Sequence, residues 1–198
     1  MAKRLLDLSL AFLGLALVWP IGIGLWLAVE WEDGGPLFYR QTRIGQFGRP
    51  FQIVKFRTML VGADKAGPAI TASGDQRVTR IGRMLRKTKL DELPQLWNVL
   101  CGDMSFVGPR PEVPKYVSLY TPAQRAVLAL KPGITDEASI VFRDEEEMLA
   151  TASDPESFYV THCLPRKIEL NLAYARHAGL RNDLAVVIRT INLLWLRR

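Results

Sequence analysis

The longest run of apolar positions lies near the start of the chain, where residues 8–29 carry no charged side chain. The run reads LSLAFLGLALVWPIGIGLWLAV, about the length that a helix needs to cross a bilayer. A signal peptide would have a shorter apolar core followed by a small-residue cleavage site, but Glu30 and Glu32 follow this run instead. The pattern therefore predicts a membrane helix, with a signal peptide and a buried core helix as the alternatives.

Pro20 lies near the middle of this run and has no N–H to donate to the Ala16 carbonyl, so a straight helix is disfavoured there. One interpretation is a kink in an ordinary spanning helix. The other is a re-entrant helix that enters the membrane, breaks near Trp19 and Pro20, and returns to the same face. Lys3 and Arg4 favour a cytoplasmic start, so a spanning helix would export the remainder of the chain.

The remainder shows short β-type runs followed by helical patterns. Residues 37–41 and 51–56 are β-type runs with glycine and proline between them, which predicts a β-hairpin. Residues 60–76 and 101–112 are predicted loops. Helical spacing is found in six segments: 78–87, 90–100, 116–130, 143–151, 155 to about 177 with a kink at Pro165, and 184–196.

The predicted fold is thus mainly α with a small β-hairpin. We expect residues 1–33 to form the membrane helix and residues 34–198 to form one folding unit. The last helix has an apolar face and basic ends, which suits either an interfacial amphipathic helix or a packed core helix.

Charge and cysteine content narrow the function. The 198 residues carry a net charge of +6, which indicates an anionic partner such as nucleic acid, anionic lipid or a phosphorylated substrate. Cys101 and Cys163 are far apart in sequence, and the two histidines form no cluster with them. Neither a disulfide framework nor a zinc site is predicted.

Cations are concentrated in front of the acidic pair Asp91–Glu92. They can form a solvated or headgroup-facing surface, or they can neutralise a phosphorylated ligand. Lys55 and Arg57 follow each other at alternating positions near the end of a predicted strand, and Arg110 lies in a stiff Gly-Pro-Arg-Pro loop. The cations before the pair are Arg77, Arg80, Arg83, Arg86, Lys87 and Lys89.

The stretch KLDELPQLWN, residues 89–98, has two interpretations. Thr88 and Asp91 resemble a capping box, and carboxylates in a first turn suit the helix dipole. Alternatively, an ionised carboxylate among cations can attack phosphorus as a covalent nucleophile. Because an anion attacking a diphosphate meets repulsion, Mg²⁺ is then the expected cofactor, held by Asp91, Glu92 and phosphate oxygens.

Four sequence blocks together resemble the bacterial sugar transferases, also called monotopic phosphoglycosyl transferases. They are residues 36–45 (PLFYRQTRIG), 51–59 (FQIVKFRTM), 79–112 (TRIGRMLRKTKLDELPQLWNVLCGDMSFVGPRPE) and 130–135 (LKPGIT). The resemblance covers nearly the whole chain, and the block 79–112 is the most specific.

The resemblance implies transfer of a sugar 1-phosphate from a UDP-sugar to a polyprenyl phosphate, with release of UMP. Asp91 would attack the phosphate next to the sugar, and Glu92 would support Mg²⁺ and the second step. It also implies a re-entrant helix broken at Pro20, a place on the cytoplasmic face of the bacterial inner membrane with both termini cytoplasmic, and the possibility of downstream glycosyltransferase partners. The residues expected to contact phosphates and headgroups are Lys55, Arg57, Arg86, Arg110, Pro111 and Glu112.

The chain departs from the family pattern in one block. Many members continue with Gly-Trp after Pro-Gly-Ile-Thr, whereas this chain has Asp136-Glu137. The resemblance therefore does not define the residues of the sugar pocket. The alternative from another functional class is a non-catalytic, membrane-anchored basic scaffold or nucleic-acid-binding protein. Because no nucleic-acid-binding motif is present in the sequence, nucleic acid is not an expected partner.

Overall fold

A computed structural model describes residues 2–63, 67 and 70–196 of the chain. It begins with helix α1 (Ala2–Asp33), which contains Pro20 and continues through it. The break predicted near Trp19 and Pro20 is therefore not an interruption of the helix, because a proline removes only one hydrogen bond and the neighbouring turns remain intact. The re-entrant path stays a prediction. The predicted cytoplasmic placement of both termini falls on residues 1, 197 and 198, which lie outside the described residues.

The outer face of α1 is apolar and uncovered. Only 11% of its most apolar window is buried, so the alternative of a buried core helix is wrong. The exposed side chains are large, and Phe12, Trp19 and Trp31 are 72%, 72% and 95% exposed. Such a continuous apolar surface is compatible with membrane association.

Both ends of α1 contact the same folded body. Near the start, the Arg4 guanidinium donates to the Val99 carbonyl at 2.6 Å. At the other end, the Glu32 carboxylate accepts from the backbone N–H groups of Arg80 and Ile81 at 2.9 and 3.3 Å. The helix therefore lies along the body instead of projecting from it.

The predicted β-hairpin is confirmed. Strands β1 (Phe38–Ile44) and β2 (Pro50–Phe56) pair in antiparallel register, with Phe38 opposite Phe56. β1 extends three residues beyond the predicted run because the turn is confined to residues 45–49, where the Gly45 N–H donates to the Arg49 carbonyl.

Two helices follow the hairpin, α2 (Arg80–Thr88) and α3 (Gln95–Cys101). α2 packs closely on the chain that leaves β2. A Cβ at Gly82 would lie 2.0 Å from the Thr58 carbonyl oxygen, so only glycine allows this approach. α3 packs against α1 and β2 through a shared cluster that contains Ala11, Ile53, Leu96, Val99 and Met104.

Residues 101–135 contain two elements that the sequence patterns did not predict. Strand β3 (Ser105–Val107) lies in the predicted loop and, beyond helix α4 (Pro114–Val117), pairs in parallel with strand β4 (Gly133–Thr135). The helix predicted at 116–130 is wrong as one element. It divides into α4 and a 3₁₀ turn, Gln124–Ala129, because the proline at 122 disfavours helical backbone before it.

Five helices follow β4 in the described part of the chain. The predicted long helix is divided by a π turn, Tyr159–Cys163, which precedes Pro165 in the first turn of the next helix. This wider turn accommodates the missing proline N–H. The five are α5 (Glu137–Val141), α6 (Glu145–Thr151), α7 (Pro155–Phe158), α8 (Leu164–Ala175) and α9 (Leu180–Leu196).

The last helix has one packed face and one uncovered apolar face, so its interfacial role stays a prediction. Val186 on its inner face is 1% exposed, while Leu184, Ile188 and Ile191 are about half exposed on another face. The largest core lies elsewhere, between α4, α6, α8 and the π turn, around Tyr116, Leu149, Tyr159, Cys163 and Ile168. Each fully buried large apolar side chain contributes about 1.5–3 kcal/mol.

Candidate active site

The acidic pair lies in a sharp bend between α2 and α3. Lys89 adopts a left-handed conformation with φ 57° and ends α2, after which Leu90–Glu92 forms one 3₁₀ turn. The predicted cap at Thr88 is wrong, because its hydroxyl donates back to the Met84 carbonyl instead. The pair is therefore positioned by the left-handed Lys89 and the 3₁₀ turn that follows it, and not by a side-chain cap at Thr88.

Glu92 is held by two cations from different parts of the fold. The Arg110 guanidinium donates to both carboxylate oxygens, with Nη1 3.0 Å from Oε2. The Lys55 ammonium, near the end of β2, lies 3.2 Å from Oε1. Burial opposes ionisation of Glu92, but Arg110 and Lys55 outweigh it and hold the pKa of Glu92 well below its usual value. Glu92 is consequently an ionised anchor at neutral pH.

Asp91 has the opposite electrostatic environment. It is only 6% exposed, and its Oδ1 atom has no hydrogen-bond partner among the described residues. Burial raises the pKa of Asp91, and the Glu92 charge adds to this, although Lys55 opposes it. The two adjacent carboxylates thus differ in their contacts: Glu92 is paired with two cations, whereas the Asp91 Oδ1 atom has no hydrogen-bond partner among the described residues.

Lys55 is poised to respond to pH. Burial lowers the pKa of its ammonium to about 8, and the neighbouring Glu92 carboxylate opposes the shift. The strand that carries it is fixed to α3 by Asn98, whose side chain accepts from the Val54 N–H at 3.0 Å and donates to the Gln52 carbonyl at 2.7 Å. Asn98 is not among the predicted site residues. A polar residue on the apolar side of a helical pattern is the feature that could have indicated it.

The other predicted ligand-binding residues are not all brought to the pair. Arg57 is buried, and its guanidinium donates to the Pro36 carbonyl at 2.7 Å. Glu112 accepts from the Tyr159 hydroxyl. It lines a small cavity of about 40 Å³ together with Pro111, and Arg110 also borders that cavity. The predicted phosphate contacts of Arg57, Pro111 and Glu112 remain predictions.

A large open cleft of about 1040 Å³ borders the site. Arg86 lines this cleft, and its guanidinium donates to the Thr58 hydroxyl at 2.9 Å. Glu92 and Arg110 also line the cleft, whereas Asp91, which precedes Glu92 in sequence, is not among the lining residues. The apolar side chains that line the cleft are Leu93, Leu96, Phe106, Ile134, Ile140, Val187, Ile191 and Leu193.

The donor set fits a divalent metal only in part. In the described part of the chain, no group of three or more His, Cys, Asp and Glu residues is placed to hold an ion. Glu92 already accepts from Lys55 and Arg110, whereas the Oδ1 atom of Asp91 is buried and unpartnered. Asp91 is therefore the better protein ligand, and other ligands would come from bound phosphate oxygens.

Comparison with known proteins identifies relatives over almost the whole chain. A glucose-1-phosphate transferase of Caulobacter vibrioides, named for UDP-glucose and undecaprenyl phosphate, is 39% identical over 193 residues. An N-acetylgalactosaminephosphotransferase of Aeromonas hydrophila, named for UDP-N-acetylgalactosamine and undecaprenyl phosphate, is 33% identical over 195 residues. The exopolysaccharide production protein ExoY of Sinorhizobium fredii is 34% identical over 212 residues.

The matches differ in how much of each relative they include. They cover 96%, 97% and 100% of this chain, but 68%, 43% and 87% of the Caulobacter, Aeromonas and Sinorhizobium proteins. The profile of one family, described as bacterial sugar transferase, matches residues 1–197. The predicted family and the predicted transferase class are thereby confirmed. The chain belongs to the bacterial sugar transferase family.

Proposed function

We propose that this protein transfers a sugar 1-phosphate from a UDP-sugar to a polyprenyl phosphate and releases UMP, through a covalent phosphosugar–Asp91 intermediate. One observation carries the proposal. The unpartnered Asp91 Oδ1 lies beside a carboxylate that Lys55 and Arg110 hold ionised. Family membership favours this enzyme over the basic scaffold or nucleic-acid-binding alternative.

The reaction balances without a proton transfer. An Asp91 oxygen attacks the phosphorus next to the sugar, and the bond from that phosphorus to the bridging oxygen breaks. UMP leaves with that oxygen, so the sugar phosphate remains on Asp91 as an acyl phosphate. A phosphate oxygen of the lipid then attacks the same phosphorus, which frees the Asp91 carboxylate and forms a sugar diphosphate lipid.

The cations around Glu92 would bind the substrate phosphates in both steps. Lys55 and Arg110 are anchored by Glu92 before substrate binds, so their donors are preorganised and little orientational entropy is lost. Arg86 lines the same cleft and adds a second guanidinium to its lining. Mg²⁺, when bound by Asp91 and phosphate oxygens with Glu92 nearby, would neutralise charge on the diphosphate.

The lining of the cleft offers groups that suit both substrates. A UDP-sugar is polar throughout and would be bound by lining cations such as Arg83, Arg86 and Lys87. A polyprenyl phosphate is an anion with an apolar chain. Its phosphate would meet Arg110 while its chain contacts the apolar lining residues, which include the half-exposed Ile191 of α9.

The position of α1 supports a monotopic placement on the cytoplasmic face of the inner membrane, with a re-entrant path. A straight helix of 32 residues would span about 48 Å, enough to separate its ends by a bilayer. Yet Arg4 near the start and Glu32 near the end both bind the same body. The exposed apolar face of α1 would then enter the lipid, with the half-exposed face of α9 lying at the interface.

Labelling from one side of the membrane tests this placement. In a Cys101→Ser background, Ala2→Cys and Glu30→Cys place thiols at exposed positions near the two ends of α1. We expect both to react with a membrane-impermeant maleimide in inside-out vesicles and neither to react in intact spheroplasts. Reaction of one thiol in each preparation would establish a spanning helix and contradict the proposal.

The transfer reaction is tested with a panel of UDP-sugars that includes UDP-glucose and UDP-N-acetylgalactosamine, the donors named for two relatives. With purified protein, Mg²⁺ and undecaprenyl phosphate, we expect one donor to give continuous UMP release. Without the lipid, the same donor should give a burst of at most about one UMP per enzyme, because the intermediate accumulates.

Two results would contradict the proposal. Absence of UMP from every donor would reject the transferase activity of this chain. A lack of any burst without the lipid, together with rapid turnover in its presence, would instead favour direct transfer between the two substrates.

A further inference from the structure

Asp136 is a buried carboxylate that bridges three elements. It is 2% exposed, although it follows a short strand and precedes a helix of only five residues. Its Oδ1 atom accepts from the Ser139 N–H at 2.6 Å and so caps α5. Its Oδ2 atom accepts from the Arg110 N–H at 3.2 Å and from the Asn171 side-chain amide at 2.8 Å.

The cap alone does not explain this arrangement. An N-cap needs one oxygen and one backbone donor, and Oδ1 with Ser139 satisfies that need. The second oxygen is directed at the loop that carries Arg110 and at helix α8. A carboxylate that is buried and accepts three hydrogen bonds at both oxygens fixes the positions of all its donors.

The loop that carries Arg110 is held on both sides of that residue. Before it, the Gly108 N–H donates to the Thr135 carbonyl at 3.1 Å, and the Gly133 N–H donates to the Pro109 carbonyl at 3.0 Å. After it, the Pro111 carbonyl accepts from the Arg43 guanidinium at 3.1 Å and the Glu112 carbonyl accepts from the Ile44 N–H at 2.9 Å. Asp136 supplies the contact at the Arg110 N–H itself.

We propose that Asp136 is a positioning residue of the active site. It fixes the backbone of Arg110 so that the Arg110 guanidinium can donate to both carboxylate oxygens of Glu92. This inference rests on the proposed function. A family member with glycine at this position has no side chain to accept from the Arg110 N–H, so the contact requires Asp136. The departure from the Gly-Trp pattern would thus help to position the phosphate-binding Arg110.

The variant Asp136→Asn tests the inference with little change in volume. Its amide nitrogen would face either the Ser139 N–H or the Arg110 N–H and Asn171. Asn171 can turn its unpartnered side-chain oxygen towards that nitrogen, but a backbone N–H can only donate. A donor placed against the Arg110 N–H displaces the guanidinium, and a displacement of about 1 Å costs on the order of 100-fold in rate. We expect kcat for UMP release to fall by about 10- to 100-fold.

The folded fraction separates positioning from a general folding defect. A positioning role predicts the lower kcat at a temperature where circular dichroism shows Asp136→Asn fully folded. A partly unfolded enzyme would instead lose folded signal in proportion to the loss of kcat.

Asp154→Asn is the matched control. Asp154 caps α7 by accepting from the Glu156 and Ser157 N–H groups at 3.1 Å, but it is exposed. It makes the same chemical change at a helix cap, where the asparagine oxygen can still accept, and should leave kcat unchanged. If Asp136→Asn also keeps the wild-type kcat, the positioning role is overturned.

A double-mutant cycle checks the route through Arg110. In an Arg110→Lys background the bidentate grip on Glu92 is already lost, so adding Asp136→Asn should lower kcat by less than about threefold. Full additivity would mean that Asp136 acts independently of Arg110 and would reject the inference. If the wild-type protein releases no UMP from any donor, the proposed function itself has failed, an outcome distinct from an unchanged Asp136 variant.

Discussion

Asp91→Asn is expected to lower UMP release by about 10⁴-fold or more, the scale seen when a covalent nucleophile is removed. The replacement has nearly the same shape, so packing in the turn Leu90–Glu92 is retained. What is lost is the anionic oxygen that attacks phosphorus. The burst in the absence of lipid should disappear together with steady turnover, because both require the same bond to Asp91.

Stability should change in the opposite direction. Burial raises the pKa of Asp91, so at neutral pH the native state carries a carboxylate whose ionised form is disfavoured relative to the unfolded chain. Asparagine removes this cost, and Tm should exceed the wild-type value at pH 7.5. The difference should diminish as the pH falls and Asp91 becomes protonated in both states. A less active but more stable variant is typical of a residue selected for chemistry.

The control is Asp103→Asn, the same chemical change at an exposed position after α3. It should keep wild-type UMP release. Mass spectrometry of the wild-type protein mixed with the correct donor should show a phosphosugar on the peptide that contains Asp91. Activity retained by Asp91→Asn, or a modified peptide elsewhere in the chain, would move the nucleophile to another residue.

Glu92→Gln is expected to lower kcat by about 100- to 1000-fold, comparable to the loss of a preorganised electrostatic contact. The neutral amide no longer anchors Lys55 and Arg110, and its NH₂ group points a donor at one of them. Lys55 is affected further, because Glu92 opposes the shift that lowers its pKa to about 8. Without Glu92 its pKa falls, so more of it is uncharged at pH 7.5.

Two opposite effects on the pKa of Asp91 follow from this change. Loss of the Glu92 charge lowers it, while the weaker charge of Lys55, the larger of these two influences, raises it. The measurement is therefore kcat at pH 7.5. Glu169→Gln, in an exposed ion pair with Arg166, serves as the control and should leave kcat unchanged. A Glu92→Gln enzyme with wild-type kcat would show that the cations need no anchor.

Local patterns predicted the features of this fold that depend on neighbouring residues. Alternation and turn glycines gave the hairpin, and the apolar run gave α1. The helical pattern that begins at residue 155 predicted the start of α7, and Asp154 caps the helix there. Each of these depends on residues within a few positions, where spacing and propensity suffice.

The features that escaped prediction depend on distant partners. β3 and β4 are three residues each, too short for a periodic signal, and they form because residues 105–107 meet residues 133–135. The conformation of Lys89 is uncommon for a residue with a side chain, so the capping pattern around Thr88 favoured the wrong start. Asp136 and Asn98 act through segments 26 and 44 positions away, which spacing alone does not reveal.

The contacts of α1 also set an order of events during synthesis. Arg4 binds carbonyls that are translated about 95 residues after it. At about 5–20 residues per second, the helix waits roughly 5–20 s before those partners exist. During that time the bilayer is the surface available to its apolar face. On the proposed membrane placement, engagement of α1 with lipid would precede assembly of the rest of the fold, and the nascent body would fold onto a helix that lipid already holds.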